Sequence, residues 1–362
     1  MRQLVRFELY KVFHQKMIYF LSIVLLGYLA ICIISNANIG EKTNNNKQYE
    51  GVISEEVVAI ATSNDQTYLK TTKELGKLPA EVFYRTLENV RITQELENRK
   101  KIMETQLPLL KGIEYRKVIL EVKILGEIHP PVYYADEGLR EVISNSNIIA
   151  MFIASSITLG LAGIFSIENT TGVNQFILSA EKGRKEIVTA KVIAAIIFTT
   201  SICFAFNFAA FCLIKINYGN LGWESLLQYA YSFQESPYAL TMGQYYFMQL
   251  GIQLIASIAY CLFILLISSL AKNTLISFVV CGFVYMNFIW MEMDGGVGIA
   301  PHILDFTYYG LMKVNDLFVR FEAVNVFEYP FLLPVAALVF TLIVSIVFMK
   351  MIYAINRMKY LG

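Results

Sequence analysis

Five cysteines and three histidines are the side chains with which this 362-residue chain could do nucleophilic, redox or metal chemistry. Cys32, Cys203, Cys212, Cys261 and Cys281 each lie inside an apolar run. A thiol placed there behaves as a small buried hydrophobe. His14, His129 and His302 are far apart in sequence, and neither HExxH nor CxxC spacing occurs, so there is no metal-site signature. No GxxxxGK[ST] loop is present to cradle a nucleotide phosphate, and no GxSxG or kinase signature occurs. The pattern points away from catalysis and implies no cofactor.

The next polar groups are those inside the apolar runs. Lys191 sits near one end of a long run, where its stem can snorkel its charge to the interface. No carboxylate lies deep in any run, which lowers the case for an ion-coupled carrier or proton relay. Asn207, Gln249, Gln253 and Asn287 are milder. Hydrocarbon cannot hydrogen-bond an amide, so these four are expected to face other helices or to line a solute path.

The strongest local signal is the stretch FSIENTTGVNQFILSAEKGRKEIVTAKVIAA. It opens with Glu168, carries the apolar patch Phe176, Ile177 and Leu178, and turns at Gly183. The basic cluster Lys182, Arg184 and Lys185 then leads into the next run. A membrane anchor needs only the positive charges. An apolar face rimmed by charge is how a soluble partner docks.

These groups must be positioned by helices in a bilayer. The chain is 56% hydrophobic and 16% charged, with a mean hydropathy of +0.51. A soluble domain carries roughly 25% charge. The formal net charge of +1 gives no field that would recruit nucleic acid. Six runs approach the roughly 20 apolar residues that a spanning helix needs, at 17–34, 148–165, 188–214, 247–270, 275–291 and 331–349. The fold class expected is an all-α membrane protein with six transmembrane helices. The first run is longer than the core of a signal peptide and is expected to stay as an anchor.

Basic residues set the orientation. With the N-terminus inside, the pieces 1–16, 166–191, 271–273 and 350–362 carry twelve Lys and Arg, against three in the outer loops 215–246 and 292–330. Both termini are therefore expected in the cytoplasm. The remaining fifteen lie in 35–147, a nearly neutral but highly charged segment expected to be a mostly helical domain outside the cell. Long loops cross largely regardless of charge. Residues 2–15 place Val5, Leu9, Val12 and Phe13 on one stripe, so 1–16 is expected to form a cytoplasmic amphipathic helix in the membrane interface. The loop 292–330 is apolar enough to hold a re-entrant or interfacial helix, and 350–362 is a cytoplasmic tail.

The ordered set of short motifs resembles the type-2 ABC permease family. Glu168, Gly172, Leu178, Ser179, Gly183, Arg184 and Lys191 are similar to that family's coupling segment between the second and third spans, and Phe176 lies in the same patch. The start LVRFELYKVFHQKMIYFL, with Glu8, Lys11 and Lys16, resembles the family's N-terminal helix. The large insert between the first two spans is similar to that of one subset. The resemblance implies the membrane subunit of an ABC exporter. Two copies, or this chain and a related permease, would pair with separate ATP-binding cassette subunits. The loop 166–187 would fit a groove on the ATPase, and closure there would tilt the spans and alternate access to a path between permeases. ATP hydrolysis would belong to the partner. The aromatic and Met-rich spans lean toward an amphipathic peptide, antibiotic or other hydrophobic solute as cargo. A carrier or channel, or a sensor or assembly subunit whose outer domain binds a ligand, remain alternative readings of the residues.

Overall fold

Apolar runs of about 20 residues become helices in lipid because a helix satisfies its own backbone. The computed structural model describes residues 1–39, 50–51, 80–128, 132–171, 183–293, 303–326 and 328–358. Six helices within them are long and apolar enough to cross a membrane: Lys16–Asn36, Ser146–Glu168, Lys185–Tyr218, Met242–Leu270, Thr274–Glu292 and Leu333–Arg357. Each contains most or all of one expected run. The fourth starts before its apolar run does, because Thr241 caps it. Its hydroxyl accepts from the Gln244 backbone N–H, while the Gln244 side chain accepts from the Thr241 N–H.

Helix α1 is Arg2–Phe13 and α2, the first span, is Lys16–Ile39. Outside the spans follow α3 (Ala80–Gln106), α4 (Gly112–Leu125) and α5 (Glu137–Ser144). The second span is α6 (Ser146–Leu161) followed, after a break, by the short α7 (Ser166–Thr171). The third is α8 (Gly183–Tyr218), the fourth α9 (Met242–Leu270) and the fifth α10 (Thr274–Met293). A one-turn helix α11 (Tyr308–Met312) and the hairpin β1 (Ala323–Val326) and β2 (Tyr329–Leu332) precede α12 (Leu333–Met358), the last span.

The second span is the axis of the bundle. Of the residues in its most apolar stretch, 78% are buried within the chain, against 17% in the first, fifth and sixth spans. Those three therefore present apolar faces to lipid or to another chain. α9 packs against α6, α8, α10, α11 and α12. Close approach needs small residues: a Cβ on Gly160 of α6 would lie 2.6 Å from the Phe198 ring of α8.

The segment 303–326 folds back into the bundle. Tyr308, Tyr309, Leu311, Met312 and Val314 are buried, with Tyr308 against Tyr260 and Phe263 of α9. The antiparallel hairpin beyond it pairs Ala323 with Leu332 and Val326 with Tyr329, an element that helical periodicity did not announce. Arg116 of α4 donates to the Glu328 carbonyl at 2.9 Å and lies over the Tyr329 ring, which ties the hairpin to α4.

The charged stretch from Glu81 to Lys123 forms two helices, α3 and α4. Pro108 lies in a 3₁₀ turn, Leu107–Leu109, between them. Asp136, 1% exposed, anchors the base of this domain. It accepts from Arg85 at 3.2 Å, Arg140 at 2.9 Å and the Ser225 hydroxyl at 2.6 Å.

Candidate functional site

α1 does not simply float on the interface. Val12 is buried, Val5, Leu9 and Phe13 are half-buried, and Phe13 meets Phe198 of the third span edge-on at 5.4 Å. The stripe assigned from sequence to the lipid surface packs on α8, because that long span leaves its N-terminal end free to be covered. Phe7 and Tyr10 remain exposed. Glu8 lies on the covered stripe and is 6% exposed.

Four charges meet where α1 crosses the C-terminal end of the second span and the N-terminal end of the third. Lys191 is fully buried and does not snorkel. Its Nζ is 2.5 Å from Glu168 Oε2, donates to the Ile164 carbonyl at 2.8 Å and lies over the Phe165 ring at 4.7 Å. Lys11 of α1 bridges Glu8 at 3.1 Å and Glu168 Oε1 at 3.4 Å. Glu168 thus accepts from both a buried and a half-exposed lysine. Two carboxylates against two ammonium groups leave the cluster neutral, which is what burial in a low dielectric requires.

The helix break at 162–165 creates the acceptor that Lys191 uses. Within the break, the backbone N–H of Phe165 and Ser166 donate to Ser268 Oγ of α9 at 3.1 and 3.3 Å, and Ser268 Oγ donates to the Ala162 carbonyl at 2.8 Å. Backbone freed inside a membrane must be re-satisfied in this way. Gln15, in the turn after α1, also donates to the Gly160 carbonyl at 3.2 Å. The start of the loop after the second span is therefore clamped to α1, α8 and α9 together.

The residues singled out from sequence separate into groups. Glu168 and Lys191 are in direct contact. Gly183 and Arg184 are in the first turn of α8. Gly172, Phe176, Leu178 and Ser179 lie outside the described residues. Among the membrane amides, Asn207 donates to Gln253 Oε1 at 2.8 Å across α8 and α9, and Gln249 is buried one turn earlier on α9. Asn287 does not join them: it donates to the Phe283 carbonyl of its own helix. Sequence reasoning missed Ser268 and the Ile164 carbonyl, for which no local pattern exists. Glu8 and Lys11 were legible as an i, i+3 pair, but their link to Glu168 was not. Among the described residues no group of three or more His, Cys, Asp or Glu is placed to hold a metal.

Six spanning helices with a charged clamp at the second-to-third connection fit a membrane permease. The sequence profile described as ABC-2 family transporter protein matches residues 3–347, and the chain belongs to that family. No curated protein and no solved structure matches it. The chain is accordingly a multi-pass membrane permease of the ABC transporter class.

Proposed function

We propose that the chain is the membrane subunit of an ATP-driven exporter, with both termini in the cytoplasm, and that Glu168 and the loop after it are its handle for a separate ATP-binding subunit. The observation that carries this reading is the buried contact of Glu168 with Lys191 and Lys11. One carboxylate at the head of the loop joins α1, α7 and α8. A push on the loop then reaches three helices at once instead of being lost in a flexible connection. Coupling requires such an element with two arrangements that the partner favours unequally. Phe7 and Tyr10 of α1 are exposed and offer apolar contacts to such a partner, and Phe176 and Arg184 follow Glu168 in sequence as its proposed apolar and basic contacts. A second copy or a related permease would complete the unit. Access to an amphipathic peptide, antibiotic or other hydrophobic solute would alternate between its two sides.

Copurification tests the reading. Tagged chain is expected to bring down an ATP-binding subunit, and Phe176→Ala with Arg184→Glu is expected to abolish that capture while the permease stays in the membrane. Absence of an ATPase from the wild-type pull-down, or capture unchanged by both substitutions, sinks it.

A further inference from the structure

An open cleft of about 340 Å³ lies between α8 and α9, toward the ends of these helices away from Glu168 and Lys191. This volume falls in the lower part of the roughly 300–1,000 Å³ range of small-molecule sites. The cleft runs along α8 from Thr200 to Phe211, about 16 Å at 1.5 Å per residue. Its walls are shelves of flat rings. Phe204 and Phe208 stack at 5.6 Å, Phe211 on Tyr246 at 6.0 Å, and Trp223 on Phe247 at 5.8 Å. Phe204, Phe208 and Phe247 are largely exposed, so the cleft opens to the side of the bundle, where its surroundings are lipid.

The lining carries Thr200 and Asn207 besides its rings, and Asn207 interrupts it in a way the bundle does not resolve. Asn207 lines the cleft and is 9% exposed. Its Nδ2 donates to the Cys203 carbonyl at 2.9 Å and to Gln253 Oε1 at 2.8 Å. Both partners are acceptors, so the orientation of the amide is set and its two N–H groups are used. Oδ1 receives no hydrogen bond among the described residues and is the acceptor that Asn207 has left to offer. On α9, Gln253 Nε2, from the amide that Asn207 contacts, and Gln249 Oε1, one turn earlier, are buried with no hydrogen-bond partner among the described residues. Unpaired amide groups at membrane depth are costly. An aromatic-walled cleft with an unspent acceptor in its lining is a place for a ligand, whereas a lipid-facing groove needs no amide at all.

We propose that this cleft binds an amphipathic molecule with an apolar body and a hydrogen-bond donor, a hydroxyl or amide N–H, entering from the bilayer and donating to Asn207 Oδ1. A bilayer phospholipid tail fits the shelves equally well but brings no donor, and the donor is what selects. The inference deepens the exporter reading, because it names the solute class that the membrane subunit takes. It is measured on the permease alone, so its failure and the failure of ATPase coupling are read separately.

The chain has two tryptophans, one lining the cleft and one on the exposed face of α10. Trp290→Phe leaves Trp223 as the only indole, and Trp223→Phe leaves Trp290 as a reference for general lipid contact. Full-length protein in phosphatidylcholine nanodiscs is titrated with dibromostearyl alcohol or with methyl dibromostearate, a matched chain without a donor. Bromine quenches an indole only at close range. Quenching of Trp223 by the alcohol is expected to saturate, at a mole fraction about fivefold lower than for the ester, the worth of one net hydrogen bond. Trp290 is expected to respond to both probes alike without saturating. In Asn207→Leu the two probes are expected to become equal at Trp223. Quenching of Trp223 that tracks Trp290, or equal half-saturation by alcohol and ester in the Asn207 protein, overturns the proposal. A preference that survives Asn207→Leu overturns the acceptor assigned. The alcohol-to-ester comparison needs no change at position 207, so a folding defect there cannot mask the result.

Discussion

Lys191 is the residue whose chemistry changed most between sequence and structure. A lysine near the end of a span ordinarily reaches for the interface. Here it turns inward, because Glu168 and the Ile164 carbonyl offer partners that water would otherwise supply. Removing one member of a buried pair leaves the other charge uncompensated, at a cost of about 3–5 kcal/mol. Lys191→Met is expected at the low end of that range, because Lys11 still faces Glu168. Thermal melting in detergent should show a marked loss for Lys191→Met. It should show a double mutant with Glu168→Gln that loses less than the sum of the singles, since the two changes share one interaction. An additive double mutant would mean the two residues act independently. Outside the membrane, Glu121 of α4 pairs with Arg99 of α3 at 2.5 Å. Burial pushes its carboxyl above the ordinary range, and the Arg99 charge only partly opposes that. A raised folded-state value means the folded chain holds the proton more tightly than the unfolded one. The stabilisation is thus complete below the ordinary carboxylate range and lost as pH rises through the raised value. Glu121→Gln, which mimics the protonated form, is expected to gain melting temperature relative to the native chain as pH rises across that window. A gap independent of pH would refute this.

The second span is one apolar run in sequence but two helices in space. Its break at 162–165 is held by Ser268 of α9, which takes two backbone N–H groups and returns its own proton to the Ala162 carbonyl. Ser268→Ala is expected to cost about 1–3 kcal/mol, the penalty for stranding buried donors. It is also expected to loosen the loop after the second span, read as faster hydrogen exchange at 162–168. Unchanged exchange there would show that the break holds without Ser268. The elements between the spans are fixed differently, by backbone fit. Gly222 has φ +64°, and a Cβ on it would sit 2.4 Å from the Asp136 Cα. Gly222→Ala combines a strained φ with a clash against backbone, and is expected to destabilise the chain by more than about 1 kcal/mol. A melting temperature equal to the native value would show that the loop yields.

At the scale of the molecule, three spans bury little within the chain, and their apolar faces are those available to lipid or a second permease. Orientation is testable directly. The native cysteines are buried or half-buried, so their background labelling is low. Leu109→Cys, in the turn between α3 and α4 and 82% exposed, is expected to react with an impermeant maleimide on intact cells. Arg2→Cys is expected to react only after permeabilisation. The reverse pattern would invert the topology derived from the basic residues.

What composition decides is what hydrocarbon enforces one run at a time. Six apolar segments, each long enough to cross, have no choice but helix, so the six spans were legible one run at a time, and the family was legible from the order of short motifs. Pairing across elements was not. The four-charge cluster needs Glu8, Lys11, Glu168 and Lys191 to converge from three helices, and the Asn207–Gln253 bond needs the facing of α8 and α9. The fold-back of 303–326, its hairpin and the break in the second span depend likewise on partners remote in sequence. Hydropathy records the cost of leaving water for each segment alone. Only packing decides which neighbour takes the proton, the charge or the freed carbonyl.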